Sequence, residues 1–467
     1  MSKLGYFTLP ISAELGEHSV VTVLSELPAL DPGRALYQCI YEPTESGEVT
    51  VSSLESVFKI SSNKVLSNAE SDLPILESTV SLDNIEWELF NKNERIASFT
   101  LGQVVQSGFE DLSSGMYKPA NLRVHHQSLY SRIVGAQSLE GFLASRKAPK
   151  QRAHIQALFG YLNLDDLRNF LNISYGLSMI DTIWVRPVGL LATWEDVNLF
   201  DNNFSDVVAH YAFTGSGFQG LQLAGTSPEY GTDGALPKCW IRDTNGEVKL
   251  LKGSTAQLGF RNSGFEPHAE YYASQIAKRM SYYPYVEYDV VNMKGGISSL
   301  CPLFTSKELA YISMAKELAT RGRPWTEYLS VLADNSLGES YRDLLFFDCV
   351  ICNTDRHLGN FGLVTDTTSY GTVSLSPIFD NGESLGHLWM PDNADSILEY
   401  ASHLGPKLMS ESFVTVGRQL LNERRRAALE RLKGWTVPKH TRYNWPELKY
   451  EAMNDLVQHQ IKQILGS

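Results

Sequence analysis

Nowhere does the sequence hold a run of about twenty apolar residues, so it offers no helix able to cross a bilayer. The opening, MSKLGYFTLP, lacks the apolar stretch of a secretory leader. Cysteine is scarce: five residues, odd in number and scattered along 467 positions, do not make a disulfide framework. Cys349 and Cys352 form a C-x-x-C, but no second Cys/His pair stands nearby to complete a zinc site. The nearly continuous apolar run from Leu344 to Cys352 places both in a buried helix instead, as core residues. Positive charge is also in deficit, with 40 Lys+Arg against 53 Asp+Glu and a net charge of -13. That balance argues against a general nucleic-acid or anionic-membrane surface and leaves room only for a local basic groove. No low-complexity tract or long Pro/Gly/Ser linker interrupts the chain. These absences predict a cytoplasmic protein, folded along its length and divided into more than one domain; at 43% hydrophobic it can bury a substantial core.

What is present is unevenly spread. Residues 1–80 carry short β-like runs such as VVTVL and ALYQCIYE and give no chemical signal. From about 85, IEWELFNKNERIASFTL reads as two strands around an Asn-Lys-Asn-Glu turn. Residues 138–187 look helical, and RAHIQALFGYLNLDDLRNFL is the clearest amphipathic stretch. After 230 the pattern becomes hairpin, helix, hairpin and then mostly helix, with the change from β-rich to α-rich near 305. The basic run RQLLNERRRAALERLK reads as a solvated helix face.

Chemistry is concentrated in 351–362, ICNTDRHLGNFG, where polar residues follow an apolar helix and are therefore anchored to the core. Asp355 and Asn360 have the D-x-x-x-x-N spacing of kinase catalytic loops, in which the Asp orients or deprotonates an acceptor hydroxyl and the Asn holds magnesium. Twenty residues on, VSLSPIFDNG places Asp380 after an apolar strand and before Asn381-Gly382. Mg²⁺ takes one or two carboxylates with phosphate oxygens and water, so Asp380 and Asn360 make a sensible ligand pair.

A phosphate-binding cation is offered by PKCWIRDTNGEVKLLKG, a hairpin with Asn245-Gly246 in its turn. Strand alternation puts Val248, Leu250 and Lys252 on one face and Lys249 on the other, and an ammonium on an apolar face needs a partner or a ligand. In EPHAEYYASQIAKRM, Ala269, Tyr272, Ala273, Ile276, Ala277 and Met280 form one apolar stripe with Glu270 at its edge, within reach of Lys252. Glu266, before Pro267, is the competing partner or a helix-start residue. Two glycine-rich segments compete for the phosphates. GSGFQG, with Gly215, Gly217 and Gly220, matches G-x-G-x-x-G but ends 32 residues before Lys252. GTDGALPK leads directly into the Lys252 hairpin, and the backbone N–H groups of Gly231, Thr232, Asp233, Gly234 and Ala235 can cradle phosphates there. Geometry favours the second.

DGALPK, LLKG, HAEYY, NTDRHLGN and PIFDNG, in that order, resemble the HipA-like serine/threonine kinase family, best over residues 230–386. The resemblance implies an α+β, two-lobed protein-kinase-like fold: an N-terminal extension over 1–80, a β-rich N-lobe over 81–305 and a helical C-lobe over 306–467. It implies ATP and Mg²⁺ between the lobes, with Asp355 as catalytic base, Lys252 on ATP, and Asn360 and Asp380 on the metal. His357 matches the family's motif histidine, a loop support, and Cys301–Thr305, including Pro302, Leu303 and Phe304, falls where the adenine-binding hinge would be. The acceptor would be a Ser/Thr hydroxyl of a protein, with an antitoxin-like protein as a further partner and neither nucleic acid nor membrane bound directly. The first 80 residues do not match the compact N-terminal region of the toxin-type members. The D-R-H-x-x-N string also resembles phosphoinositide kinases, and a non-catalytic nucleotide-binding module is the alternative outside the enzymes. Family members autophosphorylate near the phosphate loop, which points to Ser227 or Thr232, with Ser227 favoured because Ser-Pro holds an extended, accessible conformation.

Overall fold

A computed structural model describes residues 86–104, 116–216, 226–260, 263–392 and 395–466, together with the backbone of five strands nearer the N-terminus. Those strands are β1 (Lys3–Pro10), β2 (Val21–Leu27) and β3 (Arg34–Tyr41), paired in the order β1-β3-β2, and the hairpin of β4 (Glu48–Ser52) with β5 (Val57–Ser61).

The strands expected around Asn-Lys-Asn-Glu are β6 (Glu86–Asn91) and β7 (Glu94–Val104), joined where Lys92 turns at φ 50°. With β8 (Met116–Val124) and β9 (Ile183–Pro187) they make an antiparallel sheet in the order β8-β7-β6-β9. Four helices, α1 (Gln127–Ile133), α2 (Leu139–Ala144), α3 (Ile155–Leu162) and α4 (Leu167–Ser174), bury Leu143, Leu158 and Phe170 with Trp87 and Phe99 of that sheet. The helical expectation for 138–187 therefore ends early. Ile183, Trp184 and Val185, β-branched and aromatic and all buried, pair with β6 instead of continuing a helix. Two more helices follow, α5 (Trp194–Val197) and α6 (Asp206–Thr214).

The expected Asn245-Gly246 hairpin joins β10 (Lys238–Arg242) to β11 (Val248–Lys252), with Gly246 at φ 83°, a conformation glycine adopts freely. β12 (Asp289–Met293) and β13 (Gly296–Pro302) complete a four-stranded antiparallel sheet in the order β10-β11-β13-β12. Across it lies α7 (Glu266–Met280), whose stripe of Ala269, Tyr272, Ala273, Ile276, Ala277 and Met280 is entirely buried, as its spacing requires.

The C-terminal part holds a small sheet of β14 (Leu309–Ser313), β15 (Gly362–Asp366) and β16 (Thr372–Leu375). Around it stand α8 (Met314–Arg321), α9 (Tyr328–Asp334), α10 (Gly338–Ile351), α11 (Ile397–Ser402), α12 (Phe413–Leu420), α13 (Glu423–Glu430) and α14 (Glu447–Leu465). Residues of α7, α10, α12 and α14 share one core, with Cys349 and Cys352 buried in it as free thiols. The division near 305 is less sharp than composition implies, since among the described residues seven α-helices precede it and three strands follow it.

The basic run is not wholly solvated. Arg425 is buried, donating from Nε to Asp343 Oδ1 at 2.9 Å and from its guanidinium to Glu339 Oε2 at 3.0 Å, because α13 turns one face onto α10. A second buried cation, Lys449 of α14, donates to the carbonyls of Gly386 (3.1 Å), His387 (3.0 Å) and Trp389, and lies over the rings of Phe265 and Trp445. It ties the segment downstream of Asp380 to α14. Among the described residues no helix is long and apolar enough to cross a membrane.

Candidate active site

Lys252 closes β11 with its ammonium directed at two carboxylates. It donates to Glu270 Oε1 at 3.0 Å and to Asp380 Oδ1. Glu270 is fully buried, and its second oxygen accepts from the Asn381 N–H at 2.7 Å. Of the two glutamates weighed from sequence, Glu266 goes elsewhere, accepting from Thr255 Oγ1 at 2.5 Å. Asp380 sits at φ 56°, in the left-handed region that non-glycine residues adopt at a cost of about 1–2 kcal/mol, and its N–H donates to Tyr288 Oη at 3.2 Å. Burial works against the charge on Lys252, but Asp380 and Glu270 outweigh it and hold the ammonium above the usual lysine range. Burial likewise opposes ionisation of Asp380, and Lys252 with Lys238 overcomes it, keeping that carboxyl well below its ordinary range. Glu270 is pushed up by its burial against the pull of Lys252.

The GTDGALPK segment leads straight into β10. Arg152, fully buried, fastens its two ends by pairing with Glu229 and donating to the Glu229 (2.6 Å) and Lys238 (2.7 Å) carbonyls. Thr232 Oγ1 donates to Pro228 O at 2.7 Å and accepts from Trp240 Nε1 at 2.9 Å, Asp233 pairs with Lys316 at 3.1 Å, and the chain turns at Gly234, φ 96°. Gly231 N–H donates to Pro228 O and so faces inward, which leaves a shorter cradle than the five residues expected. The N–H groups of Thr232, Asp233, Gly234 and Ala235 donate to nothing among the described residues. Of the competing GSGFQG, Gly215 merely caps α6 at φ 67°, and Gly217 and Gly220 lie outside the described residues.

Lys238 went unassigned in sequence. Its side chain is buried, its ammonium lies so close over Gly234 that a methyl group there would collide with it, and it has no hydrogen-bond or ion-pair partner among the described residues. Burial, and then the neighbouring Lys252, lower its pKa to about 7. The signal that could have found it is register: a hairpin turning at Asn245-Gly246 sets Lys238 directly opposite Lys252, on the same face. The accessibility expected of Ser227 is not met. Its side chain is buried because Oγ accepts from the Glu229 N–H at 3.4 Å at the head of a short 3₁₀ turn that buries Pro228, Glu229 and Tyr230.

The second motif begins where α10 ends, with Cys352 at φ 51°. Asp355 N–H donates to Asn353 Oδ1 at 3.1 Å, and Asn360 Nδ2 donates to the Asp355 carbonyl at 3.2 Å, so the two motif residues are locked together. His357 Nδ1 accepts from the Gly359 N–H at 2.9 Å and braces the loop; its Nε2 stands 3.8 Å from Asp355 Oδ2. Asp355 Oδ1 accepts from Lys407 at 2.5 Å. Arg356, also without a sequence-derived role, is buried and forks onto Asp348 with two 3.0 Å bonds. Its remaining N–H groups reach Asn360 O (2.8 Å), Phe379 O (2.6 Å) and Asn381 Oδ1 (2.7 Å), tying NTDRHLGN to FDNG. Asp348, the one carboxylate within the apolar run Leu344–Cys352, was the available clue.

Pro302, Leu303 and Phe304 link β13 to β14 beside this site. Leu303 N–H donates to Val248 O at 3.3 Å, and the Phe304 ring packs 5.3 Å from Phe379 and 5.4 Å from Tyr311. As a metal site, the described residues offer no cluster of three His, Cys, Asp or Glu. One carboxylate, Asp380 with its side chain 33% exposed, and the Asn360 amide are what they present, a sparse oxygen set that suits Mg²⁺ shared with phosphates and water.

No protein-family model matches the chain, and no curated protein matches its sequence. Among solved structures it is similar to HipA of Shewanella oneidensis MR-1, from a toxin–antitoxin system and in complex with HipB and operator DNA: 12% identity, 81% of this chain and 97% of that chain covered, TM-score 0.47. It is also similar to the proinflammatory kinase CtkA of Helicobacter pylori, with 14% identity, 49% of this chain and 91% of that chain covered, and a TM-score of 0.32. Both TM-scores lie under 0.5.

Proposed function

We propose that this chain is an ATP- and Mg²⁺-dependent phosphotransferase of the HipA-like kinase type, acting on a protein serine or threonine hydroxyl. One observation carries the reading. Lys238, Lys252 and Asp380, brought from three segments, set two ammonium groups and a carboxylate beside a glycine turn, and one of those ammonium groups has no partner among the described residues. A buried, unpaired ammonium is unfavourable unless an anion completes it, and the phosphates of ATP are such an anion.

In this reading Lys252, aimed by Glu270, and Lys238 offset phosphate charge, while the N–H groups of residues 232–235 hold the phosphate oxygens. Asn360 and Asp380 would hold magnesium, which when bound would offset phosphate charge. Asp355 orients the acceptor hydroxyl and takes its proton. Residues 302–304 face the adenine, 81–305 form the nucleotide lobe and 306–467 the helical lobe. An antitoxin-like partner belongs to the same reading on the family resemblance alone. Nucleotide binding without transfer is the rival, favoured by the Lys252–Asp380 pair, which engages an oxygen of the aspartate proposed to hold the metal. Incubation with γ-labelled ATP and Mg²⁺, followed by intact and peptide mass spectrometry, decides between them. Labelled Ser or Thr supports transfer; retained ATP with no transferred label supports the rival.

A further inference from the structure

The acceptor side of the site has a cation that neither motif supplies. Lys407 lies 52 residues beyond Asp355, between α11 and α12, with its Nζ 2.5 Å from Asp355 Oδ1. The turn that presents it is braced. Gly405 passes so close to the Glu411 carbonyl that no side chain fits, Met409 N–H donates to Pro406 O at 3.0 Å, and Leu404, Leu408 and Met409 pack on the helical core. The catalytic loop's own basic residues are engaged elsewhere, Arg356 with Asp348 and His357 with the Gly359 N–H. Glu383 adds a neighbouring carboxyl, its pKa raised by burial and by Asp355 and lowered by Lys407. Asp355 Oδ2, by contrast, accepts no hydrogen bond among the described residues; only the His357 ring approaches it, at 3.8 Å.

We propose that Lys407 is a positioning residue for phosphoryl transfer: it fixes Asp355 through Oδ1 and thereby turns Oδ2 toward the acceptor hydroxyl. The proposal rests on the phosphotransferase reading above. In the step, the acceptor O–H gives its proton to Oδ2 and its oxygen bonds to the γ-phosphorus. The bond from that phosphorus to the β,γ-bridging oxygen breaks, and ADP leaves with the electron pair. Lys407 gains and loses no proton.

With side-chain exposures of 49% and 27%, the Lys407–Asp355 pair contributes little to stability, so its loss is expected in turnover rather than in folding. The test compares Lys407→Met and Lys407→Arg with the parent, in the full chain. It measures turnover of γ-labelled ATP, Mg²⁺·ATP affinity by calorimetry, and thermal melting. A misplaced base lowers rate rather than binding, so Lys407→Met is expected to lose roughly 10- to 100-fold in kcat, with ATP affinity within about twofold of the parent. Lys407→Arg, which keeps the charge and a donor, is expected to recover most of that loss. Three outcomes overturn the assignment: Lys407→Met at parental kcat, an effect confined to KM, or an Arg variant as slow as the Met variant. A parent that binds Mg²⁺·ATP but transfers no label overturns the phosphotransferase reading and this role together. Transfer by the parent with unchanged Lys407→Met turnover overturns this role alone.

Discussion

Two clusters of opposite charge stand side by side in the molecule and differ in what they leave open. In the Asp348–Arg356 cluster both side chains are at most 1% exposed, and the guanidinium is spent on Asp348, two carbonyls and Asn381. In the Lys252–Glu270–Asp380 cluster, Glu270 is equally buried, but Asp380 keeps a third of its side-chain surface, sits at positive φ and has beside it Lys238, which is unpaired among the described residues. The first cluster is saturated, and its function is to hold two loops in register. The second is unsatisfied on one side only, toward the glycine turn, which is where a ligand belongs. Ion pairing alone does not distinguish architecture from chemistry; unused valence does.

The sharpest way to break this contrast is Arg356→Met. It leaves Asp348 buried without its cation, and a loss of about 3–5 kcal/mol is expected in denaturant unfolding. A loss below about 1 kcal/mol would show that the cluster is not the brace described here. Next are Asp355→Ala, Asn360→Ala and Asp380→Ala, each expected to nearly abolish label transfer, about 100-fold or more, while the protein remains folded by circular dichroism. Asp380→Ala is also expected to weaken Mg²⁺-dependent ATP binding, whereas Asp355→Ala retains it; Asp355→Ala with parental turnover removes the base from Asp355.

Lys252→Ala is expected to raise the ATP concentration needed and to lower turnover, with Glu270→Ala a milder form of the same defect and Glu266→Ala weaker still, since Glu266 serves Thr255. A Glu266 defect exceeding that of Glu270 reverses their order. The smallest effect concerns protons. With a pKa of about 7, Lys238 is mostly neutral at pH 8 in the free protein, and phosphate beside it favours the charged form. Binding of Mg²⁺·ATP at pH 8 is therefore expected to take up close to one proton at this residue, read from calorimetry in buffers of different ionisation enthalpy and lost in Lys238→Met. In the free protein the same depressed value opposes folding fully below pH 7. That penalty fades as pH rises toward the ordinary lysine value of 10.5, because the unfolded chain still binds the proton there, so this residue's term favours stability increasingly over that window.

Sequence showed what depends on local period. The Asn245-Gly246 hairpin, the α7 stripe and the apolar α10 are each written in one stretch of chain, and the structure has all three. It brings Glu270 to Lys252, the contact expected from strand alternation and helix edge, and adds Asp380 to the same ammonium. What escaped depends on chain segments meeting. Arg356 looked like one more loop residue until Asp348 and Asn381 closed around it; Lys407 carries no motif, and Arg425 becomes buried only because α13 docks on α10. Ser227 misled for the opposite reason: it is extended, as Ser-Pro predicts, yet it heads a 3₁₀ turn packed into the interior and is buried instead of accessible.

The ammonium of Lys449, buried beneath the carbonyls of Gly386, His387 and Trp389, also sets an order in time. Those carbonyls follow Asp380 within nine residues, yet the cation that satisfies them is encoded 69 residues after it. At about 5–20 residues per second of synthesis, a nascent chain carries Asp380 for several seconds before the loop beyond it can close. The turn beyond Asp380 is therefore completed only once α14 has been made.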